Sequence, residues 1–348
     1  MIKLLYGDRQ QFRWRHDDIN ILGYTDAKLP IKNSQYTLND SSPLHFYVEP
    51  EPEPGEPKYP WQTRTPSVLR LKDRPGHFNI EIAITHPQLK EGWNQIKIAI
   101  ADARGQIDKL EAQFHWNSNP LPLPLDLKAL SQYNHIQEIG QVVDGDFDFD
   151  PEKNTIFTRS PVASDVLLLL GSPYGSQEAT YEVQFADNGR DWCFMGLSDF
   201  FAGHLPQSPE LGIKPGYSTA GLVTLDGQGL PGIWLAWGDS LYDRETSWAI
   251  KTEKEFKLPI QANVTYCVRH QVIIDRGTNY ARFRMWKKGN PEPNVWVCQE
   301  HNFHLEPKLP RITQASFGLF QSWGQPTQWS NISVKVLNLN LEKAIGSR

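Results

Sequence analysis

Cysteine is scarce in this 348-residue chain: Cys193, Cys267 and Cys298 are all it has. Three scattered thiols exclude a disulfide framework and a zinc knuckle and leave room for one bridge at most. Positive charge is short too. Lys and Arg number 35 against 40 Asp and Glu, a formal net charge of -5. A nucleic-acid protein wants a basic stripe to neutralise phosphates, so that class is set aside. No run approaches the ~20 apolar residues of a membrane helix. The longest, Val166–Leu170, has the length of a strand. The opening Met1-Ile2-Lys3-Leu4-Leu5-Tyr6-Gly7-Asp8 meets charge too soon for a secretory signal, so a cytoplasmic location without membrane contact is the expectation. Helical periodicity is the last shortage: few windows show a 3.6-residue period.

What is present points to β structure. There are 26 Pro, 25 Gly, 12 Trp, 12 Tyr and 16 Phe, and the length suffices for two domains. Residues 1–118 read as a small β-sandwich with strands at Tyr6–Trp14, Ile19–Gly23, Tyr36–Asn39, Asn79–Ile84, Gln95–Ile100 and Leu110–Trp116. The Pro/Glu run 48–61 cannot pair in a sheet and reads as a solvated loop, or as a docking segment with Trp61 as anchor. Residues 119–124, with three prolines, read as a semi-stiff linker. Residues 125–340 hold a dozen further strand candidates and one helical piece, Asp126–Tyr133, before a tail at 341–348.

The most informative stretch is Gln271–Gln299, which reads as a three-stranded meander. Turns fall at Arg276-Gly277-Thr278-Asn279 and at Lys287–Asn294, where Gly289, Pro291 and Pro293 interrupt any ladder. In the middle strand Ala281, Phe283 and Met285 share one face. Tyr280, Arg282, Arg284 and Trp286 share the other, and two guanidiniums beside two aromatics suit a ligand.

Two resemblances add to this. The runs Y-T-L-N, R-L-K-D-R-P-G-H-F-N-I-E-I and L-K-E-G-W-N-Q-I-K-I-A-I-A-D-A-R-G resemble a disulfide-free bacterial immunoglobulin-like module. The phrases Asp165–Gly171, Tyr181–Val183, Arg282–Trp296, Phe317–Phe320 and Trp329–Val334 resemble a laminin G-like, concanavalin A-like jelly roll. That resemblance implies glycan binding, often with calcium, and in some members glycoside hydrolase or polysaccharide lyase activity. The E-x-D-x-x-E strand of jelly-roll glycosidases is absent, as are the Q-x-H and Y-x-K strands of alginate lyases. A catalytic version would have to draw on Glu182, His270 and Arg284, although His270 alternates with Val268 and Val272 and equally suits a packed core.

Three further signals remain. Asp144, Asp146, Asp148 and Asp150 would line one face if extended, either as a calcium site or as a solvent edge over Phe147 and Phe149. Arg159 suits a ligand contact or a salt bridge with Asp165. Two long irregular loops, Ser198–Tyr217 and Asp239–Thr246, are placed to wall a groove. The expectation is an all-β, two-domain carbohydrate-binding protein. Its ligand-binding residues would be Arg282, Arg284, Trp286, Arg159 and Tyr280, and its partner a glycan, for which the paired arginines suit an acidic or sulfated one. A jelly-roll enzyme and a protein–protein scaffold are the alternatives.

Overall fold

A computed structural model describes residues 1–51, 71, 74–159, 162–186, 194–201, 203–204, 220–225, 230–236, 248–251, 258–275, 278–301 and 313–338. Trp61, most of the Pro/Glu run and the loop at Asp239–Thr246 lie outside these residues. The regular structure of the described residues is almost all strand, 56% against 3% helix.

The first part contains β1 (Ile2–Tyr6), β2 (Gln11–Phe12), β3 (Asp18–Thr25), β4 (Ile31–Leu38), β5 (Leu44–His45), β6 (His77–Ala83), β7 (Gly92–Asp102) and β8 (Ile107–Trp116). They pair as a sheet in the order β1-β3-β6 and a sheet in the order β2-β8-β7-β4-β5. Period-2 alternation supplies the core between them. Ile19, Ile21, Phe78, Ile80 and Ile82 come from the first sheet; Ile96, Ile98, Ile100 and Phe114 come from the second. Each is fully buried, and burial stabilises by roughly 1.5–3 kcal/mol per large apolar side chain. The single strand expected over Tyr6–Trp14 is corrected: the chain turns at Gly7, whose φ is +107°. A Cβ there would sit 2.4 Å from Ile21 Cδ1, so only glycine lets β1 and β2 part toward different sheets.

The second part begins with β9 (Leu125–Leu127), a 3-10 turn at Leu130–Gln132 and one helical turn, α1 (Ile136–Ile139). The helix expected over Asp126–Tyr133 is therefore a correction. Leu125 and Leu127 alternate and pair with Val334 and Ile332, and a ladder outweighs a weak helical preference. There follow β10 (Gln141–Asp144), β11 (Phe147–Asp150), β12 (Thr155–Thr158), β13 (Val162–Leu169), β14 (Gln177–Phe185) and β15 (Phe194–Phe201). Next come β16 (Ala220–Leu225), β17 (Pro231–Ala236), β18 (Trp248–Lys251), β19 (Thr265–Asp275), β20 (Thr278–Lys287) and β21 (Val297–His301). β22 (Ser316–Gly324) and β23 (Thr327–Val336) close the set. The irregular loop expected from Ser198 is strand as far as Phe201, paired with Ser316 on β22.

An eight-stranded sheet runs β11-β12-β23-β14-β19-β20-β21, with β9 against β23. Facing it is the sheet β10-β13-β22-β15, beside which β16, β17 and β18 continue. Between the layers lie Val166, Leu168, Val183, Phe185, Val268, Phe283, Met285, Phe317 and Trp329. The chain changes layer at most connections, as a jelly roll does. One change falls at Gly145, between β10 and β11, with φ +83° and a Cβ position 2.0 Å from Val166 Cγ1.

The two parts meet along a buried polar seam. Asp18, Asn20 and Leu22 on β3, and Asn79 and Glu81 on β6, point away from the first core. Gln141 Nε2 donates to the Asp18 carbonyl at 2.8 Å and to Asn20 Oδ1 at 2.7 Å. Asn79 Nδ2 donates to the Val143 carbonyl at 2.6 Å. The Tyr6 hydroxyl accepts from the Phe147 N–H at 2.9 Å and donates to Asp146 Oδ1 at 2.6 Å. Trp14 Nε1 donates to the Leu170 carbonyl at 3.2 Å, and Leu121 N–H to the Arg13 carbonyl at 3.1 Å. The proline-rich 119–124 stretch is thus tied along the seam rather than a free spacer.

At the centre of the seam His204 Nδ1 lies 2.9 Å from Glu81 Oε1 and Nε2 lies 3.1 Å from Asp144 Oδ2. The carboxylates are 7% and 0% exposed. Each ring nitrogen thus faces a buried carboxylate oxygen. Removing the ring takes a polar partner from two buried side chains at once. His204→Gln is expected to lower the unfolding free energy by about 3 kcal/mol at pH 7, measured by urea titration. Adding Glu81→Gln should cost less than the sum of the two single changes.

Candidate functional site

Among the described residues, the outer face of the eight-stranded sheet carries a continuous polar surface. The β19–β20 hairpin closes with Asp275 opposite Thr278. That register places Gln271 opposite Arg282, Arg269 opposite Arg284 and Cys267 opposite Trp286. Across β14 the same rungs continue to Glu178, Thr180 and Glu182. Further across, on β23, they reach Lys335, Ser333 and Ser330. Val268, His270, Val272, Ala281, Phe283 and Met285 fill the opposite, core-facing side.

The register sets two like charges, Arg269 and Arg284, side by side, an unfavourable pair on its own. Glu292, from the β20–β21 loop, resolves it. Its carboxylate accepts from Arg269 Nε and Nη2 at 2.9 and 3.0 Å and from Arg284 Nη1 at 2.9 Å. Arg269 Nη1 also reaches Glu178 Oε1 at 2.8 Å. Glu178 accepts from Gln271 Nε2 at 2.5 Å and from Lys335 Nζ at 2.9 Å. Gln271 Oε1 in turn accepts from Arg282 Nε at 2.6 Å. The guanidinium carbons of Arg282 and Arg284 lie 4.3 and 4.1 Å from the Trp296 ring centre, within cation–π range. The contacts therefore close a circuit: Glu178, Gln271, Arg282, Trp296, Arg284, Glu292, Arg269 and back to Glu178.

Electrostatics follow the circuit. Burial pushes the Glu178 carboxyl up, but hydrogen bonds from Lys335 and Gln271 and the Arg269 charge outweigh it and hold the group below the usual range. Burial likewise raises Glu292, and the hydrogen bonds from Arg269 and Arg284 overcome it. Beside the circuit, Glu182 Oε2 accepts from Lys288 Nζ at 2.8 Å and from Ser330 Oγ at 3.3 Å. Trp286 stands half-buried in the same rung.

The expected residues separate into three groups. Arg282, Arg284 and Trp286 share one accessible face, as their parity requires. Tyr280 holds the same parity on β20, opposite Ile273, and its side chain lies outside the described residues. Arg159 stands apart from them. It follows β12, which β23, β14 and β19 separate from β20, and it pairs with Asp148 and approaches Asp146 at 3.9 Å. The expected one-faced aspartate row is corrected. Asp144 belongs to one layer and Asp148 and Asp150 to the other, because the chain crosses at Gly145. Asp144 meets His204 and Asn79, Asp146 meets Tyr6, Asp148 meets Arg159 and Asp150 meets Lys153. Among the described residues no three His, Cys, Asp or Glu side chains converge on a cation position.

The catalytic set Glu182, His270 and Arg284 does not assemble either. His270 is fully buried on the core side, its ring edge-on to Phe317 at 5.2 Å. Arg269, Gln271, Glu178, Glu292 and Trp296 were missing from the expected set. The turn read over Arg276–Asn279 is corrected, since Thr278 and Asn279 pair with Asp275 and Ile274, and this register is what sets Arg269 opposite Arg284 and Gln271 opposite Arg282.

No protein-family model matches the chain, and no curated protein does. Solved structures with partial overlap include the carbohydrate-binding module CBM66 from Bacillus subtilis, at 14% identity, covering 57% of this chain and 95% of that one, with a TM-score of 0.34. A Lotus tetragonolobus seed lectin overlaps at 10% identity, over 61% and 97% of the two chains, with a TM-score of 0.39. The alginate lyase Aly36B, in complex with an alginate tetrasaccharide, overlaps at 12% identity, over 62% and 97%, with a TM-score of 0.35. Overlaps this loose leave the ligand to be argued from the chain's own geometry.

Burial pushes the His270 imidazole down to about 3 from its ordinary 6.5. The unfolded chain takes up a proton near pH 6.5 that the folded chain refuses until about pH 3. Stability contributed by neutral His270 is therefore present above pH 6.5 and is lost as pH falls, at about 1.4 kcal/mol per unit. Between pH 7 and 4.5 the protein should lose about 2–3 kcal/mol more than His270→Leu does, read from urea midpoints. Equal losses would show that His270 is not held neutral in the core.

Proposed function

We propose that the protein binds carbohydrate on the outer face of the eight-stranded sheet and that it does so without catalysis. The observation that carries this reading is the rung formed by Trp286, Cys267, Glu182 and Ser330, with Lys288 at its edge. A half-exposed indole gives a sugar ring a flat apolar partner for its C–H face. The Glu182 carboxylate, the Lys288 ammonium and the Ser330 hydroxyl stand beside it to read hydroxyl groups. Arg284, one pair further along β20, flanks the indole and carries the surface on toward the charged circuit.

Recognition is favoured over hydrolysis or elimination by where the titratable groups lie. The carboxylates on this face, Glu178, Glu182 and Glu292, are each already tied to a lysine or an arginine, and the histidine that an enzyme would recruit is inside the core. Residues 125–340 are read as a jelly roll of the concanavalin A-like type, and residues 1–118 as an immunoglobulin-like module docked on it.

A glycan array probed with the full chain tests the reading. Binding to a subset of glycans is expected. Trp286→Ala should weaken the best binder by about tenfold to a hundredfold, the scale of one lost stacking platform, with an unchanged urea midpoint. Binding that survives Trp286→Ala and Glu182→Gln together would place the ligand elsewhere, and an array without binders would overturn the reading.

A further inference from the structure

We propose that the Arg269–Arg284 pair is an oxyanion subsite for an acidic glycan, carboxylated or sulfated, and that Glu292 occupies it as an internal stand-in for that ligand. The inference rests on the carbohydrate reading above and names its ligand class.

The argument starts from the register. Nothing in β19 or β20 neutralises two guanidiniums set directly opposite each other. Either solvent and salt would screen them, or an anion must sit between them. Glu292 is that anion, and it arrives from a loop rather than from a strand of the sheet. Its carboxylate takes both Nε and Nη2 of Arg269, the two-pronged geometry in which arginine grips carboxylates and sulfates. Toward Arg284 the fit is poorer. Only Nη1 is engaged by Glu292, and Arg284 Nε is buried with no hydrogen-bond partner among the described residues. One carboxylate thus serves two forks and completes one. A second, better-placed oxyanion would satisfy a donor that the chain leaves unmet.

Charge and position agree with this. The protein carries a net charge of -5, yet Arg269, Arg282, Arg284, Lys288 and Lys335 outnumber Glu178, Glu182 and Glu292 on this face. Arg269 and Arg284 side chains are 30% and 22% exposed, and Glu292 is 26% exposed, so the carboxylate is reachable and replaceable. The subsite adjoins the Trp286 rung on the same strand. A saccharide stacked on the indole would carry its acidic group to the arginines within one residue pair of β20, about 6–7 Å.

The test uses Glu292→Gln, which keeps the side chain's shape and removes its charge. Its thermal midpoint is compared in sodium sulfate and in sodium chloride at equal ionic strength. If the subsite accepts oxyanions, sulfate should raise the midpoint of Glu292→Gln by about 2 °C more than that of the unaltered protein. The gain should vanish in the Arg284→Gln/Glu292→Gln double variant, which also controls for sulfate acting generally on burial. The second arm titrates uronate oligosaccharides, sulfated oligosaccharides and carboxyl-reduced neutral counterparts into the same proteins. Acidic ligands should bind Glu292→Gln about tenfold more tightly than the unaltered protein; the stronger of the two acidic classes identifies the oxyanion. Neutral ligands that bind all variants equally, with no sulfate effect, would overturn the inference while the carbohydrate reading stands. A sulfate effect without any saccharide binding would uphold the subsite and remove the glycan. A lowered midpoint for Glu292→Gln with neither sulfate rescue nor acidic preference would make Glu292 a structural clasp only.

Discussion

Two arginines facing each other across neighbouring strands are the constraint from which the open sheet face is built. The β19–β20 turn leaves no freedom in this. Once Asp275 meets Thr278, Arg269 meets Arg284. Like charges in that position disfavour the pairing by about 0.2–1 kcal/mol, and the chain answers with the loop that follows. Glu292 sits between Pro291 and Pro293, which restrict the loop's unfolded freedom and hold the carboxylate over both guanidiniums. The same loop delivers Trp296 against Arg282 and Arg284. Strand register, loop composition and indole placement are in this sense one arrangement.

The facing layer has the opposite character. Its outer side holds Val143, Leu167, Leu169, Phe201 and Phe320, a small apolar cluster of its own. His16 lies flat on Phe201 at 4.7 Å, and β3 and β6 close over β10 through Asn20, Asn79 and Gln141. This surface is used up by the N-terminal sheets. The polar seam gives the contact its specificity, since Asn79, Gln141 and the His204 ring must each meet fixed partners across it. A docking held only by apolar side chains would tolerate sliding; this one fixes which sheet face the N-terminal strands cover.

Much of this was legible in the chain. Alternation at Asn79–Ile84 and Gln95–Ile100 located β6 and β7, and the parity of Arg282, Arg284 and Trp286 located the polar face. Facing is a local property, decided by the pleat. What covers a face is not local. Asn79 and Glu81 are the polar positions of an alternating strand, and they are covered by residues some 60 to 120 positions later. The row Asp144–Asp150 reads as one edge only if the chain stays in one layer. Gly145 takes it to the other, and a glycine in sequence does not announce whether it turns, bulges or crosses. Glu292 read as part of a turn because its partners lie on two strands, one of them already passed.

The energetics of the circuit bear on why it is there. Arg269, Arg284 and Glu292 are partly exposed, and ion pairs among such groups contribute about 0–1 kcal/mol each, while Glu178 and Gln271 lie buried beneath them. The jelly roll's stability comes instead from the layer of Phe283, Phe317, Trp329 and their neighbours. Apolar residues at the Arg, Glu and Gln positions would pack as well, and a paired buried-ion cluster is often matched or exceeded by hydrophobic replacements. They would also leave a broad apolar sheet face open to association with other chains. A neutral polar face of serines and threonines would avoid that without holding any charge in place. The chain does neither: it orders guanidiniums and carboxylates in fixed positions and leaves them within reach of solvent. Ordered charge on an open face adds little to folding, and its benefit is greatest when something outside the chain completes the pattern.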